Sequence, residues 1–289
     1  MTQGISFTLT VLLSGLLVVT GCNRSSSSPS IEQQTGSAAH QDAIPVPPDL
    51  KVTVNDLVHA VETLDIPKIL AAYADDFRSG TGRPKESLRE VLAQLQRNHV
   101  KVQVEKTDFE QASDGEAKLR TQIRLRYTDT FRDLGEGEVL VTDILRHSFR
   151  KEDTHWYIYK DQRVATYREG RFGERSPNVQ IEVPVQIPTT PDYTVTISVQ
   201  RELDKTYQVL VGNYLEDPGF LPPPDIVTTL PEQGPLMVTL PRNPQGRGEM
   251  VRITVITENG IGNWVGATTI SKYIPGLSTE EDDEAQLDT

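Results

Sequence analysis

The sequence predicts an α+β domain followed by an all-β domain, and three observations carry that prediction. First, residues 117–127 alternate: Ala117, Leu119, Thr121, Ile123, Leu125 and Tyr127 stand between Lys118, Arg120, Gln122, Arg124 and Arg126. Such a period of two buries one face of a strand and wets the other. Second, the segment before it carries apolar residues at helical spacing. Third, short β-patterned runs recur between prolines after residue 177.

In chain order, the first helix is expected from Thr53, which forms a capping box with Asp56 while Val52 staples onto Leu57. Leu57, Val58, Val61 and Leu64 then share a face. Asp65 and Pro67 restart the chain as a second helix with Ile66, Ile69, Leu70, Tyr73 and Phe77 in its stripe. Residues 79–82 break it, and Pro84 opens a third helix with Leu88, Val91, Leu92 and Leu95 on one side. Strands follow at 100–109, 117–127, 139–149 and 156–167, an antiparallel meander joined by turns at Asp114-Gly115 and 151–155 and by a longer loop at 128–137. Residues 168–177 are polar and glycine-bearing and read as a hinge. The second unit spans 178–275, with strands at 180–186, 193–200, 207–214, 225–230, 236–240, 250–257 and 264–273. Seven short strands at this spacing predict a β-sandwich.

Composition sets limits on function. A chain of 289 residues is long enough for two cores. The net charge of −12 opposes a nucleic-acid-binding surface, which needs a basic face. Residues 51–175 hold 22 Lys and Arg against 22 Asp and Glu, whereas 177–289 hold 6 against 16. Six of those acids fall in 280–288, so residues 276–289 read as a solvated acidic tail. The five histidines have no metal-ligand spacing, and neither a metal nor a cofactor is expected.

The amino-terminal segment supplies an address. Residues 5–21 are nearly all apolar or small, about 17 residues, which suits a signal peptide's core better than a membrane span. The end of the segment, Val19-Thr20-Gly21-Cys22, resembles the lipobox of bacterial lipoproteins, although Met1-Thr2-Gln3-Gly4 lacks the usual basic residue. The resemblance implies cleavage after residue 21 and acyl chains on Cys22, enough to hold the protein on a bilayer. Asn23, in place of the aspartate that resembles an inner-membrane retention signal, favours the outer membrane of a diderm envelope. Cys22 is the only cysteine, so no intramolecular disulfide is available. Residues 22–49 are rich in Ser and Pro and read as a tether spanning on the order of 30 Å.

Tyr73-Ala74-Asp75-Asp76-Phe77 after two short helices, together with the strand end Phe149-Arg-Lys-Glu-Asp-Thr-His-Trp156-Tyr-Ile158, resembles the nuclear transport factor 2-like superfamily over residues 50–167. That superfamily includes ketosteroid isomerase and proteins similar to limonene hydrolase and polyketide cyclase. The resemblance implies a cone, with helices lying on a strongly curved antiparallel sheet and room for a pocket between them. Where isomerase-like members carry a general-base aspartate, this chain has Thr81, which cannot serve as a carboxylate base. Tyr73, Asp143, His147 and Phe149 are the candidate pocket lining. Asp143 and His147 share a strand face with Val139, Val141, Leu145 and Phe149, about 13 Å apart. Whether that face or the one bearing Leu140, Ile144 and Ser148 looks inward is left open by the pattern.

Weaker signals are a basic stripe, Arg120, Arg124 and Arg126, which reads as a solvated face, and Gly260-Ile261-Gly262 after Asn259, which reads as a hairpin turn. Leu221-Pro-Pro-Pro-Asp225 reads as a stiff loop. The stretch 251–264 resembles the last hairpin of a fibronectin type III or immunoglobulin-like module. Together these features favour a lipid-anchored cell-envelope protein that binds or scaffolds without catalysis. Its expected partners are the membrane, through Cys22, and an envelope protein, glycan or apolar small molecule; a homodimer is left open. The alternative is an envelope hydrolase, hydratase or isomerase acting in the cone through Asp143, His147 or Tyr73.

Overall fold

A computed structural model describes residues 45–80, 82–202, 205–215, 226–242 and 248–276. Cys22, the tether before residue 45, Thr81, the 221–225 proline loop and the acidic tail from 277 onward lie outside the described residues. No helix among the described residues is long and apolar enough to cross a membrane.

Three helices open the first unit: α1 (Pro48–Glu62), α2 (Ile66–Ala71) and α3 (Lys85–Arg97). Helix α1 starts five residues ahead of the expected capping box, because Pro48 occupies the first turn, where its missing N–H is no loss. Thr53 therefore sits inside the helix and donates its hydroxyl to the Asp49 carbonyl. Val52 is 59% exposed and makes no staple. The apolar stripe of α1 is as expected, with Leu57, Val58 and Val61 buried beside Leu50 and Val54.

Helix α2 is capped by the Asp65 carboxylate, which accepts from the Lys68 N–H, and it stops at Ala71. The expected helical extension through Phe77 is instead β1 (Tyr73–Ser79). Tyr73 and Phe77 are both buried and pack edge to face, with centroids 4.8 Å apart. A spacing of four satisfies a helix stripe and a strand face equally, and here the strand won because β5 offers a free edge.

The meander follows as β2 (Lys101–Ala112), β3 (Glu116–Thr130), β4 (Glu136–Glu152) and β5 (His155–Phe172). All are antiparallel neighbours, each longer than its expected run. The inward faces of β3 and β4, with α1–α3 above them, enclose one apolar core containing Leu119, Ile123, Leu125, Leu145 and Phe149. Helices thus lie on one face of an antiparallel sheet, the α+β arrangement.

The second unit has seven strands at the expected places: β6 (Val179–Glu182), β7 (Asp192–Val199), β8 (Thr206–Leu215), β9 (Ile226–Thr229), β10 (Leu236–Pro241), β11 (Glu249–Glu258) and β12 (Trp264–Ile274). They divide into a three-stranded sheet, β10-β7-β6, and a four-stranded run, β12-β11-β8-β9. Val195, Ile197 and Leu240 of the first meet Val209, Val211, Val251, Ile253 and Ile270 of the second in a separate core. Asn259 closes the last hairpin, its carboxamide oxygen accepting from the N–H groups of Ile261 and Asn263.

The two units share a sheet. Strand β5 is long enough for its free edge to serve twice. Near its start it pairs with β1, parallel, from Tyr73↔Ile158 to Ser79↔Asp161. Near its end it pairs with β12, antiparallel, from Lys272↔Tyr167 to Ala267↔Phe172. The result is one nine-stranded sheet that runs through both cores. Residues 168–172, expected as the start of a hinge, are therefore the last third of a central strand. The chain that follows is pinned as well. The Arg175 N–H donates to the Val265 carbonyl, and the Thr268 hydroxyl donates to the Pro177 carbonyl. Polar composition suggested a hinge, but ladder hydrogen bonds are indifferent to side-chain polarity.

Candidate functional site

On β4 the pattern left two faces to choose between. Val139, Val141, Asp143, Leu145, His147 and Phe149 are all buried, and Leu140, Ile144 and Ser148 face outward. Asp143 and His147 therefore point into the first unit, among aliphatic side chains and α-helical apolar faces.

Strand β5 adds polar groups that sequence alternation does not reveal. Its register against β4 slips twice, between Phe149↔Ile158 and Ser148↔Lys160, and between Leu145↔Arg163 and Ile144↔Ala165. Tyr159 and Val164 are the extra residues, and each bulge turns the following side chains over. Trp156 and Ile158 face inward before the first bulge, Asp161 and Arg163 between the two, and Thr166 after the second. A strict period of two would have put Lys160 and Gln162 inward instead. The signal available in the sequence is only the polarity of the strand, which is too high for a buried one.

The result is a polar belt across an apolar interior: Thr121, Asp143, His147, Asp161, Arg163 and Thr166, with Tyr73 alongside. The Thr166 hydroxyl donates to the Asp143 carboxylate at 2.5 Å. Burial pushes the Asp143 carboxyl up, against the opposing pull of the Arg163 guanidinium and of that hydrogen bond. Burial also raises the Tyr73 phenol well above its usual range, and the nearby Asp161 charge adds to the effect.

His147 differs from the others. Neither ring nitrogen has a hydrogen-bond partner among the described residues. Its nearest aromatic neighbour is Phe149, at 6.4 Å between centroids and nearly perpendicular. Burial alone pulls its pKa down to about 3, so the ring is neutral at physiological pH.

Access decides what this belt can do. Tyr73 and Asp143 are 1% exposed, and His147 and Phe149 are 0% exposed. The structure thus places the four expected lining residues in the interior of the first unit, each 1% exposed or less. Among the described residues, no group of three or more His, Cys, Asp or Glu could hold a metal ion. The basic stripe is solvated and balanced: Arg124 pairs with Glu105 at 2.8 Å and Arg126 with Glu138 at 3.2 Å.

The fold defines a class: a helix-on-sheet α+β unit whose sheet continues into a seven-stranded β unit. No family model matches the chain, and no curated protein matches it. Among solved structures, a protein of unknown function with a cystatin-like fold from Nostoc punctiforme matches at 17% identity, covering 40% of this chain and 86% of its own, with a TM-score of 0.30. A putative scytalone dehydratase from Novosphingobium aromaticivorans matches at 11% identity, with 40% and 80% covered and a TM-score of 0.33. A nuclear transport factor 2-like protein of unknown function from Pseudomonas putida matches at 15% identity, with 40% and 82% covered and a TM-score of 0.28.

Proposed function

We propose that this chain is a lipid-anchored protein of the bacterial cell envelope, on the outer membrane in a diderm, that binds or scaffolds a partner rather than catalysing a reaction. The observation that carries the non-catalytic half is the sealed interior: every side chain offered for acid or base chemistry, Tyr73, Asp143 and His147, is 1% exposed or less. A general base has to come within hydrogen-bond reach of the proton it takes.

The lipobox-like end at Cys22 carries the anchoring half. The second unit, with strands ordered three against four, supports a fibronectin type III-like reading, a module type that presents surfaces to partners. Continuous pairing through β5 makes the two units one platform at the end of a tether. An envelope protein, a glycan or an apolar small molecule fits such a platform.

Fractionation of cells expressing the wild type and Cys22→Ala tests the reading. Wild-type protein should pellet with membranes and Cys22→Ala should become soluble in the periplasm or medium. Unchanged membrane association of the variant would end the anchoring proposal. Asp143→Asn and His147→Gln should leave crosslinks to envelope neighbours unchanged, and their loss would argue for chemistry in the cone.

A further inference from the structure

Among the described residues five strands lie at the edge of a sheet: β1, β2 and β9 in the long sheet, β6 and β10 in the short one. A free edge is a template for pairing, and folded chains blunt it with charge, bulges, proline or shortness. Strand β2 is bulged twice, carries Lys101 and Lys106, and has its Val104 N–H bonded to the Glu62 carboxylate. Strand β1 is irregular and bears Asp75, Asp76 and Arg78. Strands β6 and β9 have only four residues each.

Strand β10 has none of these defences. Leu236–Leu240 holds no charged residue, and its register against β7 is unbroken from Leu236↔Ile197 to Pro241↔Asp192. Two hydrogen bonds fix which backbone groups it offers. The Arg242 N–H donates to the Pro191 carbonyl, one step beyond β10 on the same ladder. On the other side of β7, the Gln200 N–H donates to the Asn178 carbonyl. Antiparallel ladders alternate, so Leu236, Val238 and Leu240 bond to β7. The N–H and C=O groups of Met237 and Thr239 therefore turn to the free edge. Their side chains are exposed on the outer face, Met237 by 68%. Pro235 and Pro241 bound the stretch, three residues to either side of Val238.

We propose that β10 pairs with β10 of a second copy of this chain, antiparallel about a twofold axis at Val238. The axis sets Met237 opposite Thr239 of the second copy, and each such pair exchanges both backbone hydrogen bonds. The two short sheets become one. The prolines hold the register, because a slip of two residues would set a proline, which has no N–H, opposite Met237 or Thr239. An identical strand brings no charge to this uncharged edge. The contact also closes at two copies, since it uses the same patch twice. It is small against the roughly 1,600 Å² of a standard interface, so the dimer forms reversibly. The pairing deepens the partner-binding reading above, but it does not need the anchor at Cys22.

Disulfide trapping in the purified full chain tests this, with Cys22→Ala and Val238→Cys leaving residue 238 as the sole thiol. Residues on the axis form a non-hydrogen-bonded pair with Cα atoms about 4.5 Å apart, within disulfide reach. Mild oxidation should give a disulfide dimer whose yield rises with protein concentration. Adding Met237→Lys and Thr239→Lys sets like charges opposite each other and should cut that yield at least fivefold. Met237→Lys with Thr239→Glu sets opposite charges there and should restore it, a recovery that misfolding cannot produce. Because Cys22 is replaced throughout, loss of anchoring and loss of the dimer are separate results. No disulfide dimer at any concentration, or equal yields from the Lys/Lys and Lys/Glu variants, would overturn the proposal. So would trapping, in cells, of a different envelope protein through Val238→Cys in place of a second copy.

Discussion

The neutral ring of His147, which has no hydrogen-bond partner among the described residues, makes stability depend on pH in a calculable way. Its folded pKa is about 3 against an ordinary 6.5, so the unfolded chain binds the proton that the folded one refuses. Stability from this residue is therefore complete above pH 6.5 and drains as the pH falls from there toward 3. At pH 5 the loss is about 2 kcal/mol, at about 1.4 kcal/mol for each pH unit below 6.5. Replacing the ring with an apolar side chain, His147→Leu, removes that dependence. It also removes two buried nitrogens that have no partners among the described residues, so the variant should equal or exceed the wild type at pH 7.5. Urea unfolding followed by the fluorescence of Trp156, which sits in the same core, measures both effects. The gap in stability between His147→Leu and wild type should widen by about 2 kcal/mol between pH 7.5 and pH 5. Other groups titrate in both proteins and largely cancel in this difference. A constant gap, or a His147 ring resonance titrating near 6.5 in the native protein, would show that water reaches the interior and would refute the reasoning.

Two further substitutions probe the same architecture. Thr166→Val keeps the shape of the side chain but removes the hydroxyl that donates to Asp143, leaving a buried carboxylate short of a partner; a loss of about 1–3 kcal/mol is expected in urea unfolding, and an unchanged midpoint would contradict the role assigned to that hydrogen bond. Gly266→Ala would drive a methyl group into the backbone of Arg175 and Ser176, where the chain crosses β12. It should cost roughly 2 kcal/mol and reduce hydrogen-exchange protection along Arg168–Phe172, and full protection there would mean that the junction is looser than described.

Most strands were legible because their alternation is unbroken. On β3, six inward residues in succession are buried, as their spacing required. The seven later strands were marked by the prolines and glycines between them. What remained hidden was whatever depends on a partner elsewhere in the chain. Tyr73 and Phe77 fit a helix and a strand alike, and only the free edge of β5 decided between them. Residues 168–172 looked like linker because Arg168, Glu169 and Arg171 are charged, yet pairing with β4 and β12 uses their backbone. The same limit applied to the interior. Asp143 and His147 were identified on one face of β4, but Asp161 and Arg163 joined them only through the bulge at Tyr159, and a second bulge at Val164 restores the phase that turns Thr166 inward; local sequence announces neither.

The claim that most of the functional reading depends on is chemical and sits at Cys22. Mass spectrometry of the amino-terminal peptide, from protein purified out of its native membranes, addresses it directly. The account predicts a peptide that begins at Cys22 and carries a diacylglyceryl group. A peptide that still contains residues 1–21, with an unmodified thiol at Cys22, would contradict it.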